Sequence, residues 1–145
     1  MGVLTLADIR ITPLRRIATP SGDVMHVLKR TDSGYANFGE AYFSWVEPGA
    51  IKAWKLHRRM TMNLVVPVGA VHFVFHLPGA GGGFRVEDIG TSNSARLTVP
   101  PGIWFGFQGC DAAPSLVFNL ADIVHDPGEV ERKGPAEISY DWQIS

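Results

Sequence analysis

Apolar and polar residues alternate along most of this chain, and glycine or proline interrupts the alternation at short intervals. In the run 70–77, Val71, Phe73, Phe75 and Leu77 fall on one side of an extended strand, and His72 and His76 on the other. The same patterning predicts strands over 38–46, 84–89, 95–99 and 115–123, with an aromatic strand running from the Pro100-Pro101-Gly102 corner to Gly109. Residues 2–19 read as a first extended strand broken at Pro13, and 24–29 as a short strand or a helical turn. Turn chemistry marks 19–23, 32–35, 47–49 and the glycine-rich loop 79–83. No segment keeps a helical period over ten residues, so the pattern predicts an all-β sandwich or barrel, one domain over 1–145.

Composition narrows the partners. A formal charge of −1 argues against a nucleic-acid surface. No apolar run reaches the ~20 residues of a membrane-spanning helix, and the N-terminus lacks a signal-peptide pattern, which makes the cytoplasm the expected location. The single cysteine, Cys110, excludes an internal disulfide framework and any multi-cysteine metal site.

The chemistry concentrates between Gly49 and Gly69, where Lys52, Lys55, His57 and Asn63 interrupt β-forming apolar residues. Polar groups at that density are costly inside a sheet unless they line a wet cavity, so this stretch reads as the wall of a polar pocket. Alternation turns Lys55 and His57 to one face and Lys52 to the other, unless a bulge or a strand end intervenes there. His57 is the candidate base, because an imidazole titrates near working pH. Lys55 could stabilise a developing oxyanion, or act as base if burial and a neighbouring charge lowered its pKa. Lys52 suits an anionic group as a point charge. Tyr42 is a candidate acid from the neighbouring strand, and Glu40 a hydrogen-bond partner to a base. Trp104 and Phe105 are candidates to stack on a ring of a ligand.

A glycine-bounded strand followed by a Pro-x-Gly corner resembles the cupin superfamily, double-stranded β-helix (jelly-roll) barrels. Against the usual metal-binding cupin pattern, Lys55 stands at the first histidine position, Met62 at the glutamate and Phe105 at the last histidine; only His57 matches a ligand. No metal is therefore expected, and His72 with His76 lacks an accompanying carboxylate or cysteine in sequence. Four ordered segments sharpen the likeness: Phe38-Gly-Glu-Ala-Tyr-Phe-Ser, Gly49-Ala-Ile-Lys, Val99-Pro-Pro-Gly-Ile-Trp-Phe-Gly-Phe and His125-Asp-Pro-Gly-Glu. They are similar to the dTDP-4-dehydrorhamnose 3,5-epimerase family. His57 also coincides with the second histidine of sugar-nucleotide 3,4-ketoisomerases.

The resemblance implies a homodimer that uses no cofactor and takes a small-molecule nucleotide sugar. It would move a proton next to the carbonyl of a 4-keto sugar in surface polysaccharide (lipopolysaccharide) biosynthesis. Lys55 falls where the family has its catalytic histidine, Lys52 on an arginine, Asn63 on a lysine and Phe118 on the active-site tyrosine. By the same analogy Asn119, Asp122 and His125 form a polar set at the pocket mouth. With those family groups replaced, a binding protein that kept the pocket and lost the catalysis is the other expectation.

Overall fold

The computed structural model describes residues 2–79 and 82–142. Its strands are β1 (Arg10–Pro13), β2 (Arg16–Ile17), β3 (Val24–Met25), β4 (Glu40–Val46), β5 (Ile51–His57) and β6 (Met62–Val68), followed by β7 (Ala70–His76), β8 (Phe84–Gly90), β9 (Ala95–Val99), β10 (Trp104–Gly109), β11 (Ser115–Ala121) and β12 (Val130–Arg132). Among the described residues they form two five-stranded antiparallel sheets, in the orders β1-β9-β6-β11-β4 and β12-β5-β10-β7-β8, plus the β2–β3 hairpin. This is the expected jelly-roll barrel. Helical residues among those described occur only as three-residue 3-10 turns.

Alternation decides which residues fill the space between the sheets. Val71, Phe73 and Phe75 of β7, Leu97 and Val99 of β9, and Phe105 and Phe107 of β10 all point inward into one core. β9 and β10 are buried on both faces, because chain segments cover their outer sides. Arg96 projects from the outer face of β9 and donates to the carbonyls of Val27 (2.7 Å) and Ser33 (3.0 Å), tying down the loop before β4. On the other sheet Trp54, Val74, Trp104 and Ile138 make a second apolar cluster under the C-terminal segment, with Tyr140 and Trp142 packed against it. Gly69 at φ 88° is the one-residue link between β6 and β7, in different sheets, and a Cβ there would collide with Ser115.

Two sequence expectations need correction. The first strand does not begin near residue 2: a 3-10 turn at Leu6–Asp8 precedes it, with the Thr5 amide bonded to Asp8 at 2.8 Å. The 49–69 stretch is two strands, and β5 and β6 belong to different sheets across the barrel. Of the two alternatives for 24–29 the short strand holds, as the two-residue β3. Of the glycine-rich loop, residues 80 and 81 lie outside the described residues.

Candidate active site

The inner faces separate at one end of the barrel and leave a cavity of about 380 Å³. Its floor is core: Met62 and Leu64 of β6, Phe105 and Phe107 of β10, and Val117 of β11. Its polar lining comes from Tyr42 and Ser44 of β4, Asn119 of β11, Lys52 and Lys55 of β5, and Arg132 and Lys133 at the end of β12. Four cations meet at this cavity, and among the described residues no carboxylate lines it.

Both lysines reach the same cavity because β5 is bulged. Phe105 pairs with Lys55, yet the next residue of β10, Gly106, pairs with Ala53, so Trp54 is the extra residue. The extra residue resets the parity, and Lys52 and Lys55 face inward three positions apart. Gly106 is required at this step: a Cβ on it would stand 2.6 Å from the Cβ of Ala53. Trp54 points to the opposite side. Its amide donates to Lys133 O (2.7 Å), its Nε1 to Pro135 O (3.2 Å), and its ring meets Trp142 at 5.3 Å.

The three cations at the mouth are exposed, whereas Lys55 is half-buried. Lys52 Nζ donates to Trp45 O (2.6 Å) and Ser44 Oγ (3.1 Å). Lys133 Nζ sits 4.7 Å from the centre of the Trp104 ring. Arg132 pairs directly with Lys55 across β12 and β5. Burial, and then the charges of Arg132 and Lys52, lower the Lys55 pKa below the ordinary lysine value. Across the cavity, the Asn119 amide donates to the Tyr42 hydroxyl at 3.1 Å.

His57 faces the barrel but lies outside the cavity lining, 5% exposed and stacked on Phe105 at 5.9 Å. Its Nδ1 donates to Glu129 Oε2 at 2.6 Å. The other Glu129 oxygen accepts from the amides of Arg59 (3.1 Å) and Met60 (3.0 Å). Burial alone would raise the Glu129 pKa; the hydrogen bonds from His57 and the two amides outweigh it and hold the carboxyl below its usual range. Nε2 of His57 meets no polar partner among the described residues. The imidazole is part of a buried knot joining the β5–β6 turn to the chain before β12.

Of the sequence-predicted site residues, the structure gathers Tyr42, Lys52, Lys55, Phe105 and Asn119 around the cavity, and not the rest. Asn63 lies on the opposite face of β6 from Met62 and Leu64, where it donates to Gly34 O and accepts from Thr98. Trp104, one position from Phe105, is turned to the outer cluster for the same reason. Asp122 caps the Thr61 amide at 2.8 Å, His125 is exposed, and Glu40 does not line the cavity. On the outer face, His72 bonds Asp88 (2.7 Å) and Tyr140 (2.8 Å), while His76 bonds Gly83 O (3.0 Å). Sequence reasoning missed Ser44, Arg132, Lys133 and Glu129. The only signal was the charged run 129–133, whose partner strand the sequence does not name.

No family model matches the chain, and no curated protein does. Among solved structures, a dTDP sugar isomerase from Desulfovibrio desulfuricans G20 is 36% identical over 93% of this chain and 90% of its own, with a TM-score of 0.87. The chain belongs to the dTDP sugar isomerase family. Two more distant structures share the fold. The dTDP-6-deoxy-D-glucose-3,5-epimerase of Legionella pneumophila, in complex with dTDP-4-keto-L-rhamnose, is 14% identical over 98% of this chain and 82% of its own, TM-score 0.80. A sugar 3,4-ketoisomerase from Thermoanaerobacterium thermosaccharolyticum, in complex with TDP, is 16% identical over 89% and 90%, TM-score 0.74.

Proposed function

We propose that the protein is a metal-independent epimerase or ketoisomerase of a nucleotide-linked 4-keto sugar, working by proton transfer next to the carbonyl. The observation that carries this reading is the cavity itself: four cations around an apolar floor, with no carboxylate among the described residues that line it. An anionic ligand with a less polar body fits such a site, and a nucleoside diphosphate sugar has that form. Lys52, Arg132 and Lys133 at the mouth hold the diphosphate. Lys55, deeper, faces the sugar carbonyl and stabilises the charge that develops on its oxygen. Tyr42, across the cavity, exchanges the proton. Phe105 supplies an apolar wall for the sugar, and Asn119 orients the Tyr42 hydroxyl.

A homodimer is part of the proposal. Phe43 (63% exposed) and Trp45 (56%) stand on the outer face of edge strand β4, beside the partly buried Leu116, Phe118 and Leu120 of β11. An apolar sheet face of this kind is suited to a second copy. Location in the cytoplasm and a place in surface-polysaccharide biosynthesis are part of the same proposal, supported by the nucleotide-sugar substrate it assigns.

The test is proton exchange. The protein is incubated in D2O with TDP-4-keto-6-deoxyglucose, the ligand of a related ketoisomerase complex, and the sugar is examined by NMR. Deuterium is expected on a carbon adjoining the carbonyl, and Lys55→Met is expected to abolish its uptake. TDP binding without exchange supports the sugar-nucleotide-binding reading instead; neither binding nor exchange sinks both.

A further inference from the structure

Three of the four lysines in the chain line the cavity, and their head groups are not equivalent. Lys52 is engaged by the Trp45 carbonyl and the Ser44 hydroxyl. Lys133 rests over the Trp104 ring. Lys55 Nζ makes no hydrogen bond or ion pair among the described residues, and its charged neighbours, Arg132 and Lys52, are cations. An amine held between like charges over an apolar floor, with no carboxylate beside it, is set up as a nucleophile toward a carbonyl.

We propose that Lys55 is a covalent catalyst, forming a Schiff base with the keto carbon of the sugar that the cavity binds. The proposal rests on the function above and replaces charge stabilisation by Lys55 at the carbonyl oxygen with a covalent bond at the carbonyl carbon. The unprotonated amine adds to the carbonyl carbon; a C–N bond forms, and the carbonyl π electrons go to oxygen, which takes a proton. The carbinolamine then loses water to give an iminium ion. The proton on the adjoining carbon leaves to the Tyr42 oxygen, whose own proton passes to solvent, the C–H pair becomes a C=C bond, and the C=N π pair returns to nitrogen as a neutral enamine. Reprotonation regenerates the iminium, and water releases the ketone and the free amine. No oxidant or reductant enters.

The surroundings favour two of these steps. Burial and the neighbouring cations lower the Lys55 pKa, which increases the share of free amine. Passing from the iminium to the neutral enamine also removes a charge from a half-buried position, which helps the proton leave. The resemblance aligns Lys55 with a histidine in related enzymes. A covalent amine would perform through the carbonyl carbon what a general base performs at the proton alone.

The experiment traps the iminium. Wild-type protein is incubated with TDP-4-keto-6-deoxyglucose and sodium cyanoborohydride, and TDP binding is followed separately by calorimetry. The expected adduct adds the mass of the nucleotide sugar, less water, plus two hydrogens. Peptide mapping should assign it to Lys55 and not to Lys29, Lys52 or Lys133. Lys55→Arg keeps the charge without a nucleophile; it should still bind TDP, form no adduct at position 55, and lose at least about a hundredfold in deuterium exchange. The wild type should also exchange the keto oxygen with H2(18)O faster than Lys55→Arg does. TDP binding with deuterium exchange but no adduct overturns the covalent role and leaves the proposed function standing. An adduct mapping elsewhere, or full exchange by Lys55→Arg, overturns it equally. Absence of both binding and exchange removes the function on which it rests.

Discussion

The two ends of β5 carry the same kinds of residue and treat them in opposite ways. At one end Lys52 and Lys55 face a cavity with no acid in its lining. At the other, two positions beyond Lys55 on the same face, His57 is sealed against Glu129 and a phenylalanine ring. Residue type does not separate a site from a brace here; the partner does. Uncompensated cations around a void raise the free energy of the empty protein, and an anionic ligand lowers it. A buried carboxylate that accepts from an imidazole and two backbone amides has its charge compensated within the fold. The first arrangement calls for a ligand and the second holds chain segments together.

The comparison breaks most sharply on a pair of substitutions. Glu129→Ala leaves the Arg59 and Met60 amides and the His57 ring without their acceptor. It should cost about 3–5 kcal/mol in urea unfolding. The folded fraction should still bind TDP. Lys55→Met should do the reverse, keeping or raising stability by removing a desolvated cation while abolishing deuterium exchange. If Glu129→Ala proves nearly neutral in stability yet loses exchange, His57 and Glu129 belong to the catalytic machinery and the division between the two ends is wrong.

A smaller effect tests what puts both lysines on one side. Gly106→Ala drives a Cβ to within 2.6 Å of Ala53 Cβ, so the strands must part at the bulge. Overpacking of this kind costs about 1–3 kcal/mol. It should weaken TDP binding about tenfold, because Lys52 and Lys55 no longer converge. Ala53→Gly in the same chain removes the clash and should restore most of the affinity, measured by calorimetry. If the double variant binds no better than Gly106→Ala, the bulge does not govern the lysines.

Much of this was legible in advance, and the failures share a cause. The alternation in 70–77 gave the inward and outward faces of β7 as observed, and the Gly-Pro punctuation gave most strand limits. The sequence also set the condition for Lys52 to join Lys55, a bulge in β5, without showing that Trp54 supplies it. Asn63 was expected in the pocket as a polar interruption of an apolar stretch and Trp104 as a ring to stack on a ligand, yet each lies one position from a lining residue, and a one-position step along a strand reverses the face. Arg132 and Lys133 escaped notice because β12 reaches β5 from about seventy-five positions away, and no local pattern encodes that pairing. His57 was assigned as base from its intrinsic pKa. Its carboxylate partner, Glu129, is as distant in sequence, so the burial that redefines it was equally hidden.

The smallest effect is a pH signature of the brace. Glu129 has a folded-state pKa below its ordinary value of about 4.5, so folding favours its ionised form. The stability this contributes is fully present above the ordinary value and is lost as pH falls from there through the lower folded-state value. Unfolding free energy measured between about pH 6 and pH 3 should therefore drop with a component that vanishes in Glu129→Gln, which has no proton to take up. Lys55→Met should leave that component intact, because Glu129 and the groups that donate to it are unchanged. An acid limb unchanged by Glu129→Gln would mean that other carboxylates carry it. The bond from His57 would then be too weak to count as the charge-matched brace that distinguishes this end of β5 from the cavity end.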